Sequence, residues 1–165
     1  MVDLAVARNS ADNPALILEA VFRRIEVERM SGVDILNPVL TVEAVGFRLW
    51  QDHWLGVLIS PWSMSLVRLP SQNGSWCSVA EGKRLVLHLP AGDFPFLSGS
   101  EAEIGEYLTC PMIAEMMQFP DQETARQTAL AIIEGVLNSS LREMNANNSA
   151  ARDTLSRRAF LTGRC

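Results

Sequence analysis

Residues 42–70, VEAVGFRLWQDHWLGVLISPWSMSLVRLP, constrain the fold more than any other stretch of the chain. Trp50, Trp54 and Trp62 fall within thirteen residues, around an apolar run and one Pro-Trp step. Val42–Trp50 reads as a strand and Gln51-Asp52 as a tight turn. Trp54–Ser60 reads as a strand apolar on both faces, which belongs in the middle of a sheet. Pro61 has no N–H to give a ladder, so it marks a break or edge before Met64–Leu69 continues. This is more large apolar surface than two ordinary strands need. It reads as sheet core plus a surface that holds something apolar.

The flanks change period. Asn13-Pro14 offers a cap followed by proline at the first helical position, and Leu18, Val21, Phe22 and Ile25 recur at helical steps. A helix over about 14–30 follows, ended by Ser31-Gly32, with residues 1–12 frayed before it. Asn37-Pro38 marks a turn and Ser71–Ser75 a loop. Leu85, Leu87 and Leu89 alternate with Val86 and His88 as a strand, Phe94–Leu97 reads as a short strand, and Ile104–Cys110 as the last. From Asp121, the residues Ala125, Ala129, Ile132, Ile133, Val136, Leu137 and Leu141 form one stripe on a helix of about 20 residues. The predicted architecture is α+β: an antiparallel meander of about five to six strands, with N- and C-terminal helices packed against one face. Residues 1–144 make a single domain, and 145–165 a polar linker with a basic tail.

Charge and composition exclude several functions. A net charge of −5 argues against a nucleic-acid partner. No run approaches the roughly 18 apolar residues of a membrane span, and MVDLAVARNSADNP lacks the features of a secretory signal, so a cytoplasmic protein without stable membrane insertion is expected. Cys77, Cys110 and Cys165 suggest neither a disulfide framework nor a zinc site, and are read as buried or idle thiols. His53 lies in a turn and His88 in mid-strand, neither placed beside a nucleophile. Cys110 precedes a proline with no basic neighbour to activate it. Phosphate loops, dinucleotide fingerprints and HExxH are absent. No catalytic residue, cofactor or metal is expected.

One segment resists a purely structural reading. Residues 85–125 hold no lysine or arginine but seven acids: Asp93, Glu101, Glu103, Glu106, Glu115, Asp121 and Glu123. Among them lie Phe94, Phe96, Tyr107, Met112, Ile113, Met116, Met117 and Phe119, with the three methionines spaced for one helical face. Each of these residues alone fits a core, and a glutamate cluster commonly edges a solvated surface. Together, pliable thioethers and aromatics ringed by carboxylates suit an apolar peptide that carries arginine. The tail supplies a related motif. SRRAFLTG (156–163) matches the core of a twin-arginine export signal, yet lies at the wrong end and lacks the following apolar stretch. It is either a disordered basic tail or a mimic that docks on the protein's own groove through Arg157, Arg158, Phe160 and Leu161.

VEAVGFRLW (42–50), WLGVLISPW (54–62), LVRLP (66–70), GDFPF (92–96) and GEYLTC (105–110), with Asn37-Pro38 and the Phe119–Ala129 helix entry, occur in an order that resembles nickel–iron hydrogenase assembly chaperones of the HybE/HupJ type. The resemblance implies a non-enzymatic cytoplasmic chaperone for the small, iron–sulfur subunit of an exported hydrogenase. Its twin-arginine signal would be held back until assembly is complete, with the large subunit as a further partner. On that basis Trp62, Met64, Phe94, Phe96, Tyr107, Met112, Met116 and Phe119 would contact the apolar part of the signal, and Asp93, Glu101, Glu103, Glu106 and Glu115 would face its arginines. Some relatives are fused to a rubredoxin-like module, but its cysteine pairs are missing here, so no metal is implied. The sequence departs from the pattern at Ser60, at Ser63 and in PMIAEMMQF (111–119), where Glu115 replaces a proline. The alternatives are a structural adaptor bridging hydrogenase subunits and a small thiol enzyme or cofactor carrier of the same route using Cys110 or His88.

Overall fold

A computed structural model describes residues 13–138. The 145–165 linker and tail, with Arg157, Arg158, Phe160 and Leu161, lie outside these residues, as does Leu141 of the helical stripe. Helix α1 spans Ala15–Arg29. The Asn13 side chain organises its start: Oδ1 accepts from the Ala15 N–H at 3.0 Å, and Nδ2 donates to the Phe47 carbonyl at 3.2 Å. Leu18, Val21 and Ile25 form its buried face.

Strands β1 (Glu43–Trp50), β2 (His53–Ser60) and β3 (Ser63–Pro70) form a first antiparallel meander. Gln51 and Asp52 both take positive φ, the signature of a two-residue hairpin turn that matches strand twist. Pro61-Trp62 is the second tight turn, where the sequence pointed to a break. Strands β4 (Arg84–Leu89), β5 (Gly92–Glu101) and β6 (Gly105–Ile113) form a second meander, with β5 much longer than the short strand read over Phe94–Leu97. The two join through β3 and β6, so the sheet order is β1-β2-β3-β6-β5-β4, and the 71–83 segment carries the chain from the middle of the sheet to its far edge.

Helix α2 (Gln122–Val136) is shorter than its stripe suggested. Asp121 caps it by accepting from the Thr124 N–H at 2.7 Å, which satisfies an otherwise orphan donor. Between β6 and α2 a 3-10 turn, Met116–Gln118, is tied down by Asn37. The Asn37 Nδ2 donates to the carbonyls of Met116 at 2.8 Å and Phe119 at 2.9 Å.

The helices lie on opposite faces of the sheet, not on one. Leu18, Val21 and Ile25 of α1 pack with Phe47, Leu58, Val67 and Leu69. Ala125, Ala129, Ile133 and Val136 of α2 pack with Val45, Leu55, Val57, Ile59 and Leu66. Alternation along β2 feeds both cores, which is why that strand is apolar throughout. A bulge between Val45 and Arg48, at Gly46 with φ 66°, lets Val45 and Phe47 serve different cores although they are two residues apart. Cys110 is a buried free thiol, as the sequence suggested.

Candidate peptide-binding surface

The join between β5 and β6 is incomplete. Their ladder runs from Glu101↔Gly105 to Leu97↔Thr109 and stops. Two residues further in the same register, Pro95 would face Pro111, and neither has an N–H to donate. Beyond that point β6 stays with β3 as far as Ile113, and β5 stays with β4 as far as Gly92. An apolar groove of about 280 Å³ lies here, lined by Phe94, Met112, Ile132 and Val136 among others. That is room for one or two side chains, short of the ~300–1,000 Å³ typical of a small-molecule pocket. The Ala91 N–H donates to the Val136 carbonyl at 3.0 Å, closing one end of the groove with the last turn of α2. Leu85 and Leu87 continue the half-buried apolar surface along β4.

The structure separates the sequence-predicted aromatics and methionines. Phe94 and Met112 are half-buried at the groove. Met64 and Phe96 are fully buried, Met116 is 1% exposed, and Phe119 is also buried, so these four are packing residues of the α2-side core. Trp62 and Tyr107 belong to the opposite, α1-side core, where Tyr107 meets Phe22 edge-on at 6.0 Å between centroids. Met112, Met116 and Met117 share no helical face: the first is in β6, and the other two sit in the 3-10 turn with Met117 pointing outward, 64% exposed.

The carboxylates divide as sharply. Glu101, 8% exposed, receives Arg29 at 2.7 Å and Arg24 at 3.2 Å; the Arg29 hydrogen bond is the main cause holding its pKa below the usual carboxylate value. Glu103 holds Arg24 at 2.9 Å. Both acids therefore bind α1 to the sheet and are not free to face a client's arginines. Glu106 accepts from the Ser78 hydroxyl and from Trp76 Nε1, bonds that lower its pKa. Asp93 is exposed and touches His88 Nδ1 at 2.6 Å. Glu115 is exposed, with no ion pair among the described residues.

Among the described residues neither His53 nor His88 is hydrogen-bonded to a nucleophilic hydroxyl or thiol side chain. Burial raises the pKa of the Cys110 thiol, the reverse of activation. His53 is buried in β2, not solvated in a turn; Nε2 pairs with the Ser75 carbonyl at 3.1 Å, and its ring meets Trp76 edge-on. Among the described residues no group of His, Cys, Asp and Glu is arranged to hold a metal ion, and no helix is long and apolar enough to cross a membrane. The groove residues Ile132 and Val136, and Leu85 and Leu87 of the adjoining β4 surface, were legible only as helix and strand stripes. Their availability follows from where α2 ends, which their spacing does not encode.

The seam leaves an apolar groove open between β5, β6 and the last turn of α2. The chain matches the family described as "[NiFe]-hydrogenase assembly, chaperone, HybE" over residues 13–163, and belongs to that family. It is 32% identical over 148 residues to the hydrogenase expression/formation protein HupJ of Bradyrhizobium diazoefficiens, covering 89% of this chain and 86% of that one. It is 34% identical over 126 residues to the probable rubredoxin HupJ of Rhodobacter capsulatus, where 76% of this chain spans 45% of the relative. The fold resembles the solution structure of HybE from Escherichia coli, with a TM-score of 0.64 at 23% identity over 93% of this chain and 91% of that one.

Proposed function

We propose that this hydrogenase-assembly chaperone is a cytoplasmic, non-enzymatic protein that binds the twin-arginine signal of a small-subunit precursor and delays its export. The observation that carries this reading is the β5–β6 seam: an apolar groove at Phe94 and Met112, beside a sheet edge at Leu85 and Leu87. The apolar part of the signal lies along this seam, and burial at about 25 cal/mol per Å² supplies most of the affinity. Glu115 and Asp93, the latter already touching His88, are the exposed acids that would meet the arginine pair, each exposed contact contributing only about 0–1 kcal/mol. Charge therefore orients the peptide while the groove retains it.

The test is calorimetric titration of the full chain with a synthetic signal peptide, with and without its arginine pair. The expected result is a complex with both peptides, weaker without the arginines, and lost from a Phe94→Ser/Met112→Ser variant that still folds. A precursor lacking its signal that binds as tightly as the intact one would replace this reading with an adaptor contacting folded hydrogenase surface.

A further inference from the structure

Arg68 lies on β3, opposite Leu108 of β6 and Leu55 of β2, on the face of the sheet that α2 covers further along. It is half-buried, and its Nε is shut off from solvent without a hydrogen-bond partner. Among the described residues no carboxylate lies in ion-pair range of it. Its guanidinium carbon lies over the Trp50 ring, 5.7 Å from the centroid. Among the described residues Arg68 is the half-buried cation with no carboxylate partner; Arg48, Lys83 and Arg84 also lack one but are exposed. Arg24, Arg29 and Arg126 each hold carboxylates, and even exposed Arg23 pairs with Glu19.

The neighbours do not remedy the imbalance. Glu106, two residues along β6 from Leu108, has both oxygens engaged by Trp76 and Ser78. His53 uses Nε2 on the Ser75 carbonyl, and burial first, then the Arg68 charge, lower its pKa. Burying a charge without a counter-charge is costly, and contact with one indole face offsets only part of that cost.

We propose that Arg68 is the receptor for a carboxylate on a partner polypeptide. With Nε enclosed, the two Nη groups of the planar guanidinium are the donors left to match a carboxylate with two parallel hydrogen bonds, and the Trp50 wall suits the apolar stem that carries it. Phosphate or a polyanion fits less well, since one cation stands alone and the chain carries a net charge of −5. The site is distinct from the seam and opposite in sign: it reads an acid, where the seam is assigned to an arginine-bearing segment. The signal-peptide reading is not needed for it to hold.

The carboxylate can come from an acidic side chain or from a chain terminus, and three capped probes separate these. Full-length protein is titrated with acetyl-Leu-Glu-Leu-amide, acetyl-Leu-Gln-Leu-amide and acetyl-Leu-Gln-Leu with a free C-terminus, following tryptophan fluorescence. At least one acid-bearing probe should bind about tenfold or more tighter than the neutral one, and the arm that does so identifies the source. Arg68→Gln should abolish the preference, and Arg68→Lys should retain part of it because the charge remains without the fork. Equal binding of all three probes to the wild-type protein overturns the proposal, without depending on any variant folding. So does a preference that survives Arg68→Gln.

Discussion

The two halves of the sheet use similar side chains to opposite ends. In β1–β3 the apolar residues fill both faces, every residue of β2 but Trp54 is buried, and both helices lean on this side, α1 against β1 and α2 against β1 and β2. In β4–β6 the pattern alternates, β4 has a single buried residue, and the apolar face past the end of α2 stays partly bare. The first half is closed by its own helices. In the second, among the described residues, the sheet face is only partly covered by the helices, in a chain of a hydrogenase-assembly chaperone family.

The largest expected effect sets Phe96 against Phe94, two residues apart on the same face of β5. Phe96 is fully buried, so Phe96→Ala should cost about 3–5 kcal/mol in urea unfolding. Phe94 is half-buried at the groove, so Phe94→Ala should cost about 1–2 kcal/mol, the transfer of part of a side chain, while weakening precursor binding severalfold. The reverse pattern, with Phe96 governing binding and Phe94 governing stability, would break the division between closed and open halves.

A second test lies wholly in the closed half. A Cβ at Gly56 would sit 2.3 Å from the Phe47 ring, which is wedged between that strand and α1. Gly56→Ala should destabilise by about 1–3 kcal/mol, measured by thermal unfolding, and leave the affinity of the folded protein for precursor unchanged. A loss of affinity in the folded fraction would mean that the two halves communicate.

The sequence carried the elements well because period is local: alternation in 85–89, helical steps in 18–25 and the turn at Gln51-Asp52 all depend on neighbours in the chain. The faces were not legible. One glycine bulge re-aims β1, and nothing in the spacing of α1 or α2 says which side each takes. The site was legible only in part, for a similar reason. Phe94 and Phe96 differ by where α2 ends, and Glu101 differs from Glu115 by two arginines far away on α1. Composition drew attention to the region; tertiary contacts decide which of its members are buried or already paired.

Glu101 gives a pH-dependent version of the same contrast. Its pKa is lowered in the folded state, so its contribution to stability is present above the ordinary carboxylate value of 4.5 and is lost as pH falls through the lower, folded one. The wild-type melting temperature should therefore fall more steeply below pH 4.5 than that of Glu101→Gln, which starts a few degrees lower at pH 7. Precursor affinity at pH 7 should be the same for both, because this carboxylate is already taken by Arg24 and Arg29. An affinity loss would return Glu101 to the binding surface.

The smallest effect belongs to the acids of the open half. Asp93 and Glu115 are exposed, so each contact with a client arginine contributes little to affinity and is screened over about 8 Å at physiological salt. On the proposed reading they act on encounter, since fixed negative charge there would raise the local concentration of an arginine-bearing peptide. Asp93→Asn combined with Glu115→Gln should slow association two- to fivefold at low salt, a rough range for rim charges, with little change in dissociation. The same variant should flatten the dependence of the association rate on ionic strength, measured by stopped-flow tryptophan fluorescence. If the salt dependence persists, the steering charge lies elsewhere; if dissociation changes instead, these side chains are inside the contact and the open half is larger than the groove at Phe94 and Met112.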